Sequence, residues 1–392
     1  MKTESAPAST PEYLSEPGDV STIGHVSGKD RIPHIGNMQI RLLERLCNAC
    51  SVSGDEAEVR SIVLEQIRPC VDQVKVDALG NVLATRFGQG EHRLRLMIAA
   101  HMDEVGLMIT SDEENGIFRF DTVGGLDASQ LVAKHLWVGR KHVPGIIGIK
   151  PIHLLEDEDL HKPVSLDALR LDVGPENAKK VGIGDRATFA TSFRRMGPSI
   201  RAKALDDRLG VAILIELLRQ PMPHLDLLAA FTVQEEVGLR GARVAAYTLN
   251  PDLAFVIDST PARDLPTWES GGYHTEPDGL ENTQYNTRLD SGPAIYVADS
   301  ATLSDPRLIR YLVETAETLG IPYQVRQPGG GGTDAGAIHR QREGIPTISI
   351  SVPGRYLHTA ASIARLDDLM NTLALVRAAL ARLTTDLLVA DR

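Results

Sequence analysis

The stretch LLAAFTVQEEVGLRGA, residues 227–242, runs from an apolar, strand-like segment into two adjacent carboxylates, Glu235 and Glu236, and then into a glycine-containing turn. Neighbouring acids at the end of a buried strand repel each other and are costly to desolvate. A divalent cation offsets both costs if one glutamate binds it, and a turn can aim the other at water beside it. Other apolar runs end in a similar way. LMIAA leads into His101, Asp103 and Glu104, LAFVI into Asp258, and TISISVPGRYL into His358. KALDDRLG sets Asp206 and Asp207 at the start of a helix, where free N–H groups favour a carboxylate. In an extended segment His101 and Asp103 share a face. Each of these has an ordinary reading by itself: a helix cap for Asp206 or Asp207, a loop residue for His358, two solvated acids for the glutamates. Taken together, two histidines and several carboxylates form a nitrogen/oxygen set suited to Zn²⁺, Co²⁺ or Mn²⁺.

These residues need a scaffold that brings chain-distant segments to one place. A helix is expected from about Met38 and a second over SVSGDEAEVRSIVLEQI, with Ser53 or Asp55 as its N-cap. RLRLMIAA reads as a buried strand. From about Leu107 to Arg195 short alternating segments broken by Gly, Pro and Asn-Gly indicate a mostly β insertion. Helix and strand then alternate from Ala202 onward, which suggests parallel strands covered by helices. In such sheets sites form beyond the carboxyl ends of the strands, so the endings named above would converge. Residues 262–291 read as a long exposed excursion, and residues 1–36 as a disordered tail rich in Pro, Ser, Thr and acids. The run Gly329–Gly332 lacks the Gly-Lys-Ser/Thr of a phosphate-binding loop and reads as a helix opening, with Thr333 or Asp334 near the cap.

A chain of 392 residues, 42% hydrophobic, has room for a large core and more than one domain. Its net charge of −11 argues against a general nucleic-acid partner. The sequence has no apolar run of membrane-spanning length and no apolar signal-peptide core at its start, so no membrane partner and a cytoplasmic location are expected. Cys47 and Cys50 form a C-x-x-C, but no second pair completes a structural zinc set, and both read as small helix-packing residues.

The segments AAHMDEVGLMI, KALDDRLG, VQEEVGLRGA, VIDSTPA, GGTDAGAI and ISVPGRYLH stand in the order and approximate spacing of the M42 metallo-aminopeptidases, also called glutamyl aminopeptidase/cellulase M-like or tetrahedral aminopeptidases. The chain resembles that family over roughly residues 38–385. The resemblance implies an α/β fold, a three-layer sheet with helices on both faces, in a catalytic domain over 37–106 and 197–392. It also implies an inserted β-rich oligomerisation domain over 107–196. By the same match His101, Glu236, Asp258 and His358 are terminal ligands of two divalent ions, Zn²⁺ or Co²⁺, and Asp206 bridges them. Asp103 would orient His101, and Glu235 would be the general base that activates a metal-bridged water. The implied activity is removal of the N-terminal residue from short peptides with a free N-terminus, by a homo-oligomer built from dimers and often dodecameric. The tail has no counterpart in the usual pattern, and the excursion after Asp258 is longer than that pattern leads one to expect. The excursion lies just beyond a ligand, which bears on substrate preference and assembly.

Two other classes fit parts of this pattern. Paired carboxylates also serve glycoside hydrolysis, and a cellulase label exists within the resemblance. That reading leaves the two histidines unexplained, and 4% aromatic content, with Trp137 and Trp268 as the tryptophans, offers few stacking platforms for sugar. A non-catalytic metal- or peptide-binding scaffold would bind metal and peptide without turnover; Glu235 argues against it, and an activity assay separates the two.

Overall fold

The computed structural model describes residues 35–90, 93–154, 156, 162–221, 224–265 and 287–389. Nearly all of the expected N-terminal tail, and residues 266–286 of the expected excursion, lie outside them.

The first helices are α1 (Asn37–Asn48) and α2 (Ala57–Ile67). Strands β1 (Gln73–Val76), β2 (Val82–Arg86) and β3 (Leu94–His101) follow. Then come β4 (Gly106–Asp112), β5 (Ile117–Val123), β6 (His135–Val138), β7 (Val143–Ile149), β8 (Leu169–Asp172) and β9 (Arg186–Phe189). A short hairpin, β10 (Arg194–Met196) and β11 (Ser199–Ala202), leads to α3 (Leu205–Leu218), β12 (Leu225–Thr232), α4 (Arg240–Leu249) and β13 (Leu253–Pro261). The chain continues through β14 (Ala294–Tyr296), α5 (Pro306–Leu319), β15 (Gln324–Arg326), α6 (Ala335–Ile338), β16 (Thr347–Arg355), β17 (Ser362–Arg365), α7 (Leu366–Arg382) and α8 (Asp386–Val389).

Among the described residues the strands form two sheets. The larger runs β1-β2-β12-β3-β13-β16-β17-β11-β10, with β14 and β15 alongside β16. Its centre is parallel: β12 with β3, β3 with β13, and β13 with β16. All but one residue of β3 and all of β12 are buried, as strands covered on both faces require. On one face Met97, Ala99, Leu228, Ala230 and Val256 pack against α4 and α6 through Ala242, Ala245 and Ile338. On the other α3 lies directly on β3 and β13, with α1, α2 and α7 packed around it. This is the three-layer α/β arrangement expected from the sequence.

The smaller sheet is a closed antiparallel barrel, β4-β5-β8-β7-β6-β9, filled by Leu107, Phe118, Leu136, Leu171 and Phe189 among others. Its strands lie between β3 and the β10–β11 hairpin, which returns the chain to the large sheet.

One local expectation needs correction. The N-cap of α2 is Glu56, and it makes no side-chain cap bond. Neither Ser53 nor Asp55 is available for capping: the Ser53 hydroxyl donates to Asp103, and Asp55 pairs with Arg140 of the barrel.

Candidate metal centre

His101 ends β3, and in the parallel register it stands beside Thr232 at the end of β12. Immediately after β12 the chain turns: Gln234 takes a left-handed φ of 56°, and the N–H groups of Gly238 and Leu239 return to the Glu235 carbonyl. That turn holds both glutamates inward, with Glu235 9% exposed and the Glu236 side chain 5%. Asp258 projects from β13, and His358 follows β16, itself at a left-handed φ of 56°. At the start of α3, Asp206 and Asp207 leave helical geometry. Asp207 accepts the Gly210 N–H at 2.9 Å and serves the helix start, and a Cβ on Gly210 would run into its carboxylate. Asp206 is thereby free to face the site.

The side chains form two groups that share Asp206. One contains His101, Asp206 and Asp258, the other Asp206, Glu236 and His358, with one ligand atom from each residue within 4.8 Å of the others. Oδ1 of Asp206 is 3.3 Å from His101 Nε2, and Oδ2 is 3.4 Å from His358 Nε2. Asp258 lies 3.7 Å from His101 Nε2, and Glu236 lies 3.3 Å from His358 Nε2. Each ring turns Nδ1 toward a main-chain carbonyl, of Asp103 for His101 and of Gly125 for His358, both at 3.2 Å. With Nδ1–H donating there, the Nε2 lone pairs point at carboxylate oxygens. Such an approach requires a proton or a cation between the two groups.

The charges say the same. Burial opposes a positive His101, yet Asp103, Asp206 and Asp258 hold its pKa well above the ordinary value. Burial likewise opposes a charged His358, but Asp206 and Glu236 raise it to about 9. Burial raises Asp258 to about 7 and, against the pull of His358, raises Glu236 to about 8. Glu235 is pushed well up, first by burial and then by Asp258, Asp334 and Glu236 against the pull of His101. Asp206 is lowered, since the two histidines outweigh its burial, and Asp103 is lowered as well, its burial outweighed by His101, the Ser53 hydroxyl and the Glu235 N–H. Three carboxylates and two imidazoles that are neutral when ligating carry excess negative charge in a water-poor place, and this donor set fits two divalent cations of borderline hardness.

All seven residues singled out from the sequence meet here. Asp103 does more than face His101, whose Nδ1 is 3.5 Å from Oδ1. Its Oδ1 accepts the Glu235 N–H at 3.0 Å, and its Oδ2 accepts the Glu236 N–H at 3.2 Å and the Ser53 hydroxyl at 2.6 Å. Asp103 therefore pins the glutamate turn to the end of β3. Sequence reasoning missed two neighbours. Asp334, considered as a cap, is buried, accepts the Thr232 hydroxyl at 2.5 Å and is raised by burial to about 6. Tyr296, buried on β14 with the Arg326 guanidinium 4.3 Å from its ring centre, borders the same cavity. An acid inside a Gly-Thr-Asp-Ala segment was a visible signal; a tyrosine within an apolar strand was not.

The cluster opens into a cavity of about 640 Å³, bordered also by Arg263, Leu239, Leu357 and Gly330–Gly332. The model of the M42 glutamyl aminopeptidases matches residues 80–375. The chain belongs to the M42 glutamyl aminopeptidase family. The lysyl aminopeptidase of Pyrococcus furiosus is 32% identical to it over 354 residues, 87% of this chain and 96% of that protein. Aminopeptidase APDkam598 from the archaeon Desulfurococcus kamchatkensis shares its fold with a TM-score of 0.81 and 34% identity, covering 89% of this chain and 96% of that one. The Pyrococcus horikoshii TET1 peptidase, described as able to assemble into a tetrahedron or a large octahedral shell, matches with a TM-score of 0.74 and 32% identity over 88% of this chain and 100% of that one. This M42 member is therefore an aminopeptidase of a metal-dependent peptidase family, and its acid–histidine cluster supplies candidate metal-binding groups. No helix among its described residues is long and apolar enough to cross a membrane.

Proposed function

We propose that this M42 member removes the N-terminal residue from short peptides at a dinuclear centre held by His101, Asp258, Glu236 and His358, with Asp206 shared between the two cations. The observation that carries this is the position of Asp206, with one carboxylate oxygen facing each histidine. Zn²⁺ or Co²⁺ suits the donors, and when bound supplies Lewis-acid polarisation of the peptide carbonyl and activation of water near neutral pH.

The chain's own residues do the rest. The buried Glu235 carboxylate takes a proton from the attacking water and returns it to the leaving amine, as general acid–base catalysis requires. Burial and the neighbouring carboxylates raise its affinity for a proton, which favours its accepting one. Asp103 holds Glu235 through its main-chain N–H, so the base is fixed relative to His101. The acidic cluster attracts the free α-ammonium of the substrate, which restricts cleavage to chain ends. The barrel, within an inserted domain over about 107–196, serves assembly into a homo-oligomer larger than a dimer; the family relationship to TET peptidases supports this. A cellulase-type activity is not favoured: it leaves His101 and His358 unexplained, and Trp137 sits on the barrel, bordering a different cavity from the acids.

The test is hydrolysis of a panel of short peptides, each with a free and an acetylated N-terminus, by chelator-stripped protein before and after addition of Zn²⁺ or Co²⁺. Metal-restored cleavage confined to free-amine peptides is expected. Cleavage of acetylated peptides, or none with metal bound, would overturn the reading.

A further inference from the structure

After α1 the chain passes through Cys50 on its way to α2, facing the β6–β7 turn of the barrel across a cavity of about 190 Å³. Cys50 and Glu58 border that cavity, and His142 of the turn meets both of them. The Cys50 thiol, the Glu58 carboxylate and the His142 ring bring one ligand atom each to within 4.8 Å of the others. Glu58 Oε1 is 2.5 Å from His142 Nε2, while Oε2 accepts the Cys50 N–H at 2.9 Å. The main-chain donor thus fixes which carboxylate oxygen faces the imidazole, as partners of a ligating carboxylate do. His142 sits at a left-handed φ of 50°, its ring centre 6.4 Å from that of Trp137. Cys47, the other half of the C-x-x-C, is a fully buried residue of α1, so the arrangement owes nothing to that spacing.

A Glu58–His142 ion pair alone would account for two of the three residues. It gives no reason for a sulfur beside them. Thiolate, imidazole and carboxylate together suit Zn²⁺ and disfavour Mg²⁺ or Ca²⁺, which take oxygen ligands. The surrounding structure is already set for it. Arg140, two residues before His142, pairs with Asp55 at 2.9 Å, and Arg186 of β9 donates to the Ser53 carbonyl at 3.1 Å. The side chains of Glu58 and His142 are 37% and 41% exposed, leaving a path for the ion and a fourth position for water.

We propose that Cys50, Glu58 and His142 form a cation site of zinc type, sharing no residue with the peptidase centre, that ties the α1–α2 connection to the barrel. Binding displaces the thiol proton, and any proton on His142, to solvent. The tied segment also carries Ser53, whose hydroxyl holds Asp103, so occupancy stiffens one support of the catalytic turn.

The test is a Co²⁺ titration of the full-length, chelator-stripped protein, followed in the near ultraviolet. The donors of the peptidase centre include no thiol, so a thiolate-to-cobalt charge-transfer band reports on a cysteine site. The band is expected to reach the amplitude of one thiolate-bound Co²⁺ per chain, within a total uptake that includes the equivalents taken by the peptidase centre, and to be lost in Cys50→Ser. After Zn²⁺ loading, Cys50→Ser should retain one equivalent less than the parent, and its Tm should gain less from zinc. His142→Ala, on an exposed turn, should lose the same equivalent and serves if the serine variant does not fold. Cobalt binding with no charge-transfer band, a band that survives Cys50→Ser, or equal zinc content in the parent and both variants would overturn the site.

Discussion

Asp206 and Glu235 show how two buried carboxylates come to differ. Two histidines lower the first despite its burial, which suits a ligand that stays ionised; burial and like charges raise the second, which suits a group that carries a proton for part of a cycle. Glu235→Gln should keep the metal content of the parent, by elemental analysis, and lower kcat by about 10²–10⁴-fold. Normal turnover with full metal content would remove Glu235 from the mechanism. For Asp103 the outcome differs in kind. Its two oxygens receive three donors, and an asparagine would present an NH₂ to one of them. Asp103→Asn should therefore weaken metal retention by about 10–100-fold as well as slowing turnover, measured by competition with a chromogenic chelator. Unchanged metal retention would limit Asp103 to the glutamate turn.

At the scale of elements, a buried ionic network joins the barrel to the α/β layers. Glu104 follows the β3 terminus and receives Lys203 Nζ at 2.7 and 2.8 Å, Arg208 Nη2 at 3.2 Å, the Thr188 hydroxyl of β9 at 2.9 Å and the Ser51 N–H at 2.9 Å. Arg208 of α3 also donates to the Asp103 carbonyl at 3.1 Å, so α3 and the β3 terminus are held in one relation. Glu104→Ala would leave two buried cations without their carboxylate, and should cost about 3–5 kcal/mol in urea unfolding. A change below 1 kcal/mol would mean that the network is dispensable. This network was not legible in the sequence, where Glu104 reads as one more acid after LMIAA, beside His101 and Asp103, and Lys203 and Arg208 look like ordinary surface charges. The elements themselves were legible, because continuous apolar runs such as LMIAA and LLAAFTV read as doubly covered strands. The α2 cap was misread because Ser53 and Asp55 are bound by partners 50 and 85 residues away in sequence, which no local pattern reveals.

For the whole molecule the acid cluster makes stability, pH and metal interdependent. In the chelator-stripped protein, burial raises Asp258 to about 7 and Glu236 to about 8, while Asp206 and Glu236 raise His358 to about 9. All three bind protons more tightly in the folded state. The carboxyls contribute stability fully below about pH 4, lost as pH rises through 7 and 8; the histidine contributes below about 6.5 and loses it through 9. The stripped protein should have a lower Tm at pH 9 than at pH 6, with a larger gain from Zn²⁺ at pH 9. Adding metal in weakly buffered solution at pH 7 should release protons, visible with an indicator dye. A pH-independent gain and no release would show that these groups are not the ligands. Assembly belongs to this scale too: light scattering should give a mass several times the 42.6 kDa chain, and a monomer would remove the oligomeric role proposed for the barrel.

The sequence by itself determined the residue types, their order and the alternation of strands and helices. A carboxylate or imidazole placed after an apolar run is a local pattern, and the motif set pointed to the family. Tertiary structure decided which oxygen faces which ring, that Asp103 receives both glutamate N–H groups, and that Asp334 and Tyr296 join the pocket. It also decided that Cys50 meets Glu58 and His142 rather than Cys47. Those outcomes depend on parallel strand register and on barrel-to-sheet packing, which set contacts between residues as far as 233 positions apart, as between Gly125 and His358. Spacing along the chain carries no information about such distances.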